Sequence, residues 1–289
     1  MDFDCFVGID WSGNKNNFQK GISVALCEKG NAVPKIIRPN IRYWSRSMLL
    51  KWILELISKR KSLIGFDFSF SYPFYDKASY FPGINDSPTC PYDLWKLINN
   101  LNHDKDNFYG GGIWKKNPFS QYYNAPRLKG TYYQSRRRKT EVHAKNKIYS
   151  PSPSFNCVGP GGVGTGSLSG MRFLHILKEN LSIWPFENII MRRKSISVEI
   201  FPTYYFRMAG IKPDKKIGYT LENINKALSF FETNNLLKNI KIEGPDQDDA
   251  DAIISSAALR FFSRKDNYWN VPSVSKKEGW IFGVLSIIN

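Results

Sequence analysis

The chain has 289 residues, 42% of them hydrophobic, enough for one large α/β domain with a real core, so disorder as the dominant state is excluded. Forty-one Lys and Arg against 25 Asp and Glu give a net charge of +16, a balance that attracts polyanions and predicts salt-sensitive binding without bearing on the fold. No apolar stretch approaches the roughly 18 uninterrupted residues of a membrane helix, and the Met1-Asp2-Phe3-Asp4 start is acidic where a secretory signal is basic, so a cytoplasmic protein with no membrane partner is expected.

Residues 3–10 alternate and then run into Gly8-Ile9-Asp10-Trp11-Ser12-Gly13, a strand ending in a turn with a carboxylate at its carboxyl end. Two further β-type runs, 21–28 and 36–44, suggest an antiparallel meander. Ser45 is a good amino-terminal cap, and Met48, Leu49, Trp52, Ile53, Leu56 and Ile57 recur at helical spacing, which predicts an amphipathic helix to about residue 59. Residues 62–69 then repeat the grammar of the first strand: apolar, Gly, apolar, Asp, aromatic, Ser. A strand, a helix and a strand make a right-handed crossover, so the two strands should be parallel neighbours with Asp10 and Asp67 ending level.

Residues 70–170 lack periodicity and are dense in Tyr, Asn, Pro and Gly, with one short helical candidate at 92–101. The stretch is too long for a loop and reads as an insertion, dividing the chain into a first half of the core (1–69), the insertion (70–170) and a second half (171–289). A glycine-rich run, 159–167, feeds a predicted helix over 168–179. It serves either as a structural turn or as an anion contact, but no Gly-Lys-Ser/Thr follows, and Ser169 stands where a dinucleotide fingerprint needs glycine. Beyond it, 195–201 reads as a strand stopped by Pro202, 220–231 as a helix, 246–262 as a helix capped by Gly244-Pro245, and 280–287 as a last strand or helix.

Cys5, Cys27, Cys90 and Cys157 are too far apart for a Cys-x-x-Cys pair and read as free thiols, while three histidines are too few for a His-rich zinc site. Hard oxygen donors are better supplied. Phosphodiester hydrolysis needs an activated water and neutralised charge, work that magnesium or manganese does when held by carboxylates. Asp10 and Asp67 sit at matching strand ends, and Asp248 and Asp251 lie three apart on one face of a helix start. Acids in a first helical turn also offset the macrodipole, so Asp246, Asp248 and Asp249 have a second explanation and Asp251 has a solvated helix face. An Asp in an apolar strand end is costly to bury, and two copies of the same grammar are harder to explain away.

The ordered set Val7-Gly8-Ile9-Asp10, Ile64-Gly65-Phe66-Asp67, Val158-Gly159-Pro160 with Val163-Gly164-Thr165-Gly166-Ser167-Leu168, Val198-Glu199-Ile200-Phe201-Pro202, Asp248-x-x-Asp251-Ala252 and Glu278-Gly279-Trp280-Ile281 resembles domain-of-unknown-function family 429, a set of predicted nucleases. The resemblance spans nearly the whole chain. It implies a ribonuclease H-like mixed sheet flanked by helices, with divalent metal on the first-strand acid, the fourth-strand acid and the acid of the carboxy-terminal helix, here Asp10, Asp67 and Asp248 or Asp251. An acid also stands at the position of Glu199 in that family, which leaves Glu199 either a ligand or orienting group or an edge-strand surface residue. Glu55, between Lys51 and Lys59, reads as a solvated ion pair.

From residue 127 to 147 there are eight basic residues and one acid, Glu141, so this window holds +7 of the total. Arg136, Arg137, Arg138 and Lys139 are candidates for gripping the phosphates of DNA or RNA, with Glu141 as a partner for those cations. Tyr122, Tyr123, Tyr132 and Tyr133 flank them, either to stack bases or as the insertion's own core. The leading expectation is a nuclease or phosphodiesterase using magnesium or manganese. A non-catalytic nucleic-acid-binding protein on the same scaffold is the alternative, and an actin-like or sugar-kinase relative ranks last because the chain is too short for two lobes.

Overall fold

The two-residue period of the amino-terminal segments puts one set of side chains on each side of a sheet, and both sets are apolar because both faces are covered. The computed structural model describes residues 1–159, 162–187, 195–213, 219–237 and 248–286. β1 (Cys5–Asp10), β2 (Ser23–Glu28) and β3 (Lys35–Ile36) form the expected meander. The third strand is shorter than the 36–44 run suggested, because Pro39 has no N–H to continue a ladder. Ser45 caps α1 (Arg46–Lys59), accepting from the Met48 N–H at 3.1 Å, and Leu49 and Ile53 turn inward. α1 carries the chain to β4 (Ser62–Phe66), which runs parallel to β1 with Gly8 opposite Gly65.

α2 (Pro91–Leu101), a small hairpin of β5 (Asn124–Ala125) and β6 (Leu128–Lys129), and α3 (Lys139–Lys147) follow. α4 (Gly164–Leu177) begins inside the glycine run rather than at 168, its first N–H bonded to the Asn156 carbonyl at 2.8 Å. β7 (Ser182–Ile183) and β8 (Ile196–Glu199) complete the sheet, and Pro202 opens α5 (Pro202–Met208) at the position where a missing N–H costs nothing. α6 (Leu221–Phe230), α7 (Asp248–Ser263) and the short α8 (Ser275–Glu278) end the chain. The start expected for the helix that is α7, residues 246–247 with their Gly244-Pro245 cap, lies outside the described residues. In the 280–287 run, Ile281 makes a bridge to Glu199, and residue 287 is outside the described set.

The result is an α/β fold around a six-stranded mixed sheet, order β3-β2-β1-β4-β8-β7, antiparallel through β1 and parallel from β1 to β7. On one face Val7, Ile9, Val24, Ile64 and Phe66 pack with α1, α2 and α4, joined by Phe70, Tyr72, Phe81, Tyr123 and Phe155 from the 70–170 segment. That segment therefore completes the core of this face. On the other face Phe6, Ala25, Leu63 and Val198 pack with α5, α6 and α7. α7 lies so close to β1 that a Cβ on Gly8 would stand 2.3 Å from the Ala252 carbonyl oxygen and 2.7 Å from the Ser256 nitrogen. A Cβ on Gly65 would meet side chains instead, Ile200 at 2.4 Å and Leu259 at 2.9 Å. Among the described residues no helix is long and apolar enough to cross a membrane.

Candidate active site

The Gly-x-Asp grammar has a geometric reason. In a strand, residues two apart share a face, so Asp10 emerges on the face of Gly8, the one that α7 covers. The Asp67 N–H donates to the Ile9 carbonyl at 3.0 Å, which extends the parallel ladder by one step and holds the two acids level. Trp11 after Asp10 and Ser69 after Asp67 each find a partner on α4. Trp11 Nε1 donates to Ser169 Oγ at 2.9 Å and the Gly166 carbonyl at 3.1 Å, and the Ser69 N–H donates to Ser167 Oγ at 3.2 Å. Both turns are thus fastened to α4. Buried Arg46 holds the first turn from the other side, donating to the carbonyls of Ser12, Asn14 and Asn107.

The amino-terminal turn of α7 brings the remaining carboxylates. The Asp10 carboxyl lies close enough to those of Asp248, Asp67 and Asp251 to feel their charge. Burial, then the negative charges of Asp251, Asp248 and Asp67, push the Asp10 pKa well above the ordinary carboxylate range. Burial and the charge of Glu199 raise Asp67 to about 7. Asp251 receives the Tyr219 hydroxyl, 3.3 Å from each of its oxygens. Asp249 has a different role: it accepts from Ser23 Oγ at 2.5 Å and takes the Arg38 guanidinium on both oxygens, tying α7 to the meander. Asp10, Asp67, Asp248 and Asp251 therefore meet from three elements, as neighbours in one electrostatic cluster. A cleft of about 780 Å³ opens beside Asp67 and Glu199, its walls including Trp11, Ser69, Thr165, Tyr149 and Phe201.

Glu199 is not an edge-strand surface residue. β8 lies between β4 and β7, and Glu199 is 3% exposed, held by Arg138 through both carboxylate oxygens and by the Phe70 N–H at 3.0 Å. Arg138, fully buried, also donates to Glu141 at 2.8 Å and to the Glu278 carbonyl at 3.1 Å. Glu141 is the cation partner expected of it, and its side chain also accepts from the Arg138 N–H to cap α3.

The expectation that Arg136 and Arg138 grip phosphate is corrected. Arg136 is buried, paired with Asp76 and donating to the carbonyls of Pro73, Ser79 and Tyr80, so its fork is spent inside the protein. Arg137, half-buried, donates to Ser150 Oγ at 2.6 Å and to the Pro151 carbonyl, while Lys139 is exposed. Tyr122 and Tyr123 are core residues, Tyr123 bonded to Tyr72 at 3.1 Å, Tyr133 is half-buried, and Tyr132 is exposed. Glu55 forms the surface pair with Lys59 at 2.7 Å.

The sequence did not single out Tyr219, Tyr149, Arg38 or Arg46. They carry no motif, and their partners lie far along the chain, so only the lone acid Glu141 in a basic run hinted at the buried network. Among the described residues no three His, Cys, Asp or Glu side chains are arranged as a ready metal cage. Compared with family models, with curated proteins and with solved structures, the chain matches none.

Proposed function

We propose that this protein is a ribonuclease H-like hydrolase of phosphodiester bonds that depends on magnesium or manganese. The observation that carries the reading is the meeting of Asp10, Asp67 and Asp248 from β1, the end of β4 and the start of α7, with Asp251 acting on the same group. The order of the sheet supports it, since the two acid-bearing strand ends are central, parallel and adjacent.

The donor chemistry fits a hard divalent cation. Two other buried carboxylates nearby, Asp249 and Glu199, are matched by arginines, whereas the strongest influences on Asp10 are burial and three more negative charges. Asp10, Asp67 and Asp248 would hold the ion, with Asp251 set beside them by Tyr219. Bound there, magnesium or manganese would supply positive charge against a phosphate in an anionic site and make water a better nucleophile at neutral pH. The chain's own part is positional. α4 fixes both turns through Trp11 and Ser69, and Arg138 holds Glu199 in place beside them.

The test is cleavage of labelled single-stranded DNA, duplex DNA and RNA with each metal, wild type beside Asp10→Asn, with thermal melts of both. Asp10→Asn should lower cleavage by more than about 100-fold, beyond what loss of an outer partner of a metal ligand costs, while the metal-free melt holds or rises because a buried acid among acids has been removed. Equal cleavage by both proteins removes Asp10 from the mechanism. Cleavage by neither favours a non-catalytic nucleic-acid-binding protein.

A further inference from the structure

The cleft beside Asp67 has a wall that the acid cluster does not explain. Tyr149 lines it, 41% exposed, just beyond α3. Its ring stacks beside Phe201, centroids 6.1 Å apart and planes 23° apart, and the Arg207 guanidinium carbon stands 4.0 Å from the ring centre. Phe201 stacks in turn beside Tyr204. The position is preset by the backbone: the N–H groups of Ile148 and Tyr149 both donate to the Ala144 carbonyl at 2.9 Å, and Arg137 fastens Ser150 and Pro151. An exposed ring held in place before binding loses little entropy when a partner stacks on it.

The remaining lining narrows the partner. Asp67 and Glu199 line it together with Ser69, Ser150 and Thr203, and no Lys or Arg among the described residues does so. Successive phosphates would meet carboxylates there, whereas a planar uncharged base meets the rings of Tyr149 and Phe201. The volume of about 780 Å³ lies in the small-molecule range of roughly 300–1,000 Å³. That is the size of a nucleoside-like group rather than of a duplex. We propose that Tyr149, with Phe201 beside it, forms a stacking subsite for an unpaired base of a single-stranded nucleic acid, next to the acids where its phosphodiester would be cut. This inference rests on the hydrolase reading and names its substrate class.

The experiment uses the full chain carrying Asp10→Asn, so that bound strands persist, and single-stranded DNA and RNA oligonucleotides containing 2-aminopurine, whose fluorescence is quenched by stacking. Adding Tyr149→Ala should weaken single-strand binding by about tenfold and abolish the quench, and Tyr149→Phe should retain both. Matching melts show that the fold is intact. A duplex should bind more weakly and be indifferent to Tyr149. Unchanged affinity and quench in Tyr149→Ala overturn the subsite, as does a protein that binds no nucleic acid. Tyr149-dependent binding by a protein whose wild type cuts nothing leaves the subsite standing and removes the hydrolase reading. Equal single-strand cleavage by wild type and Tyr149→Ala does the reverse.

Discussion

Asp10 and Asp67 differ from the other buried acids in what surrounds them, and that difference has a measurable sign. Their pKa values are raised by burial and by like charges, Asp67 from 3.8 to about 7, so the folded protein holds more protons than the unfolded chain between those values. Their contribution is present below the unfolded pKa and is lost as pH rises through the folded one. In EDTA, the melting temperature of wild type relative to Asp67→Asn should therefore fall between about pH 4 and 7. Manganese should reverse the loss, raising the melt more at pH 8 than at pH 5, because protons and metal compete for the same oxygens. A pH-independent difference, or a metal shift of equal size at both values, would sink the assignment of these acids as a cation site.

α7 is the element on which the site depends, since it delivers Asp248 and Asp251 and packs on β1 with backbone in near contact. Gly8→Ala must push that helix away, because the new methyl would meet the Ala252 carbonyl and the Ser256 nitrogen. The expected cost is about 3 kcal/mol or more, the upper end for overpacking. Gly65→Ala meets side-chain methyls of Ile200 and Leu259 rather than backbone, and its cost should be lower, about 1–2 kcal/mol. Urea melts of the two variants rank them. Gly8→Ala should also shrink the manganese shift, since α7 moves away from Asp10. Equal destabilisation by both would mean that α7 gives way as readily as a side chain. The same principle separates elements that were legible from those that were not. Ser45 with α1 is written locally in a cap and a helical period, whereas α3 has a mixed charged sequence whose helix is held by Arg138 and Glu141 from inside the protein.

Over the whole molecule, the +16 charge divides into an inner and an outer part. Arg46, Arg136, Arg138 and Arg260 are buried and brace carbonyls, hydroxyls or acids, whereas Lys139, Lys145 and Lys147 lie exposed on α3, which leads to Tyr149. Binding to single strands should weaken with salt, and the double variant Lys145→Ala with Lys147→Ala should reduce the log–log slope by about 1.4, two phosphate contacts at roughly 0.7 each. Titrations at several salt concentrations read this directly. An unchanged slope would place the polyanion on another face.

The sequence by itself determined the elements with a strong period or a cap, the pairing of β1 with β4 and the level ends of Asp10 and Asp67, because strand alternation and a short helical crossover leave few arrangements. It also placed Asp248 and Asp251 on one helical face by their spacing. Only the tertiary structure decided that α7 crosses at Gly8, that Glu199 is matched by Arg138, that Asp249 belongs to Arg38, and that Arg136 and Arg138 face inward. Those outcomes depend on contacts between residues 56 to more than 200 positions apart, and whether a charge is solvated or buried is set by what packs over it, which residue type and spacing do not encode.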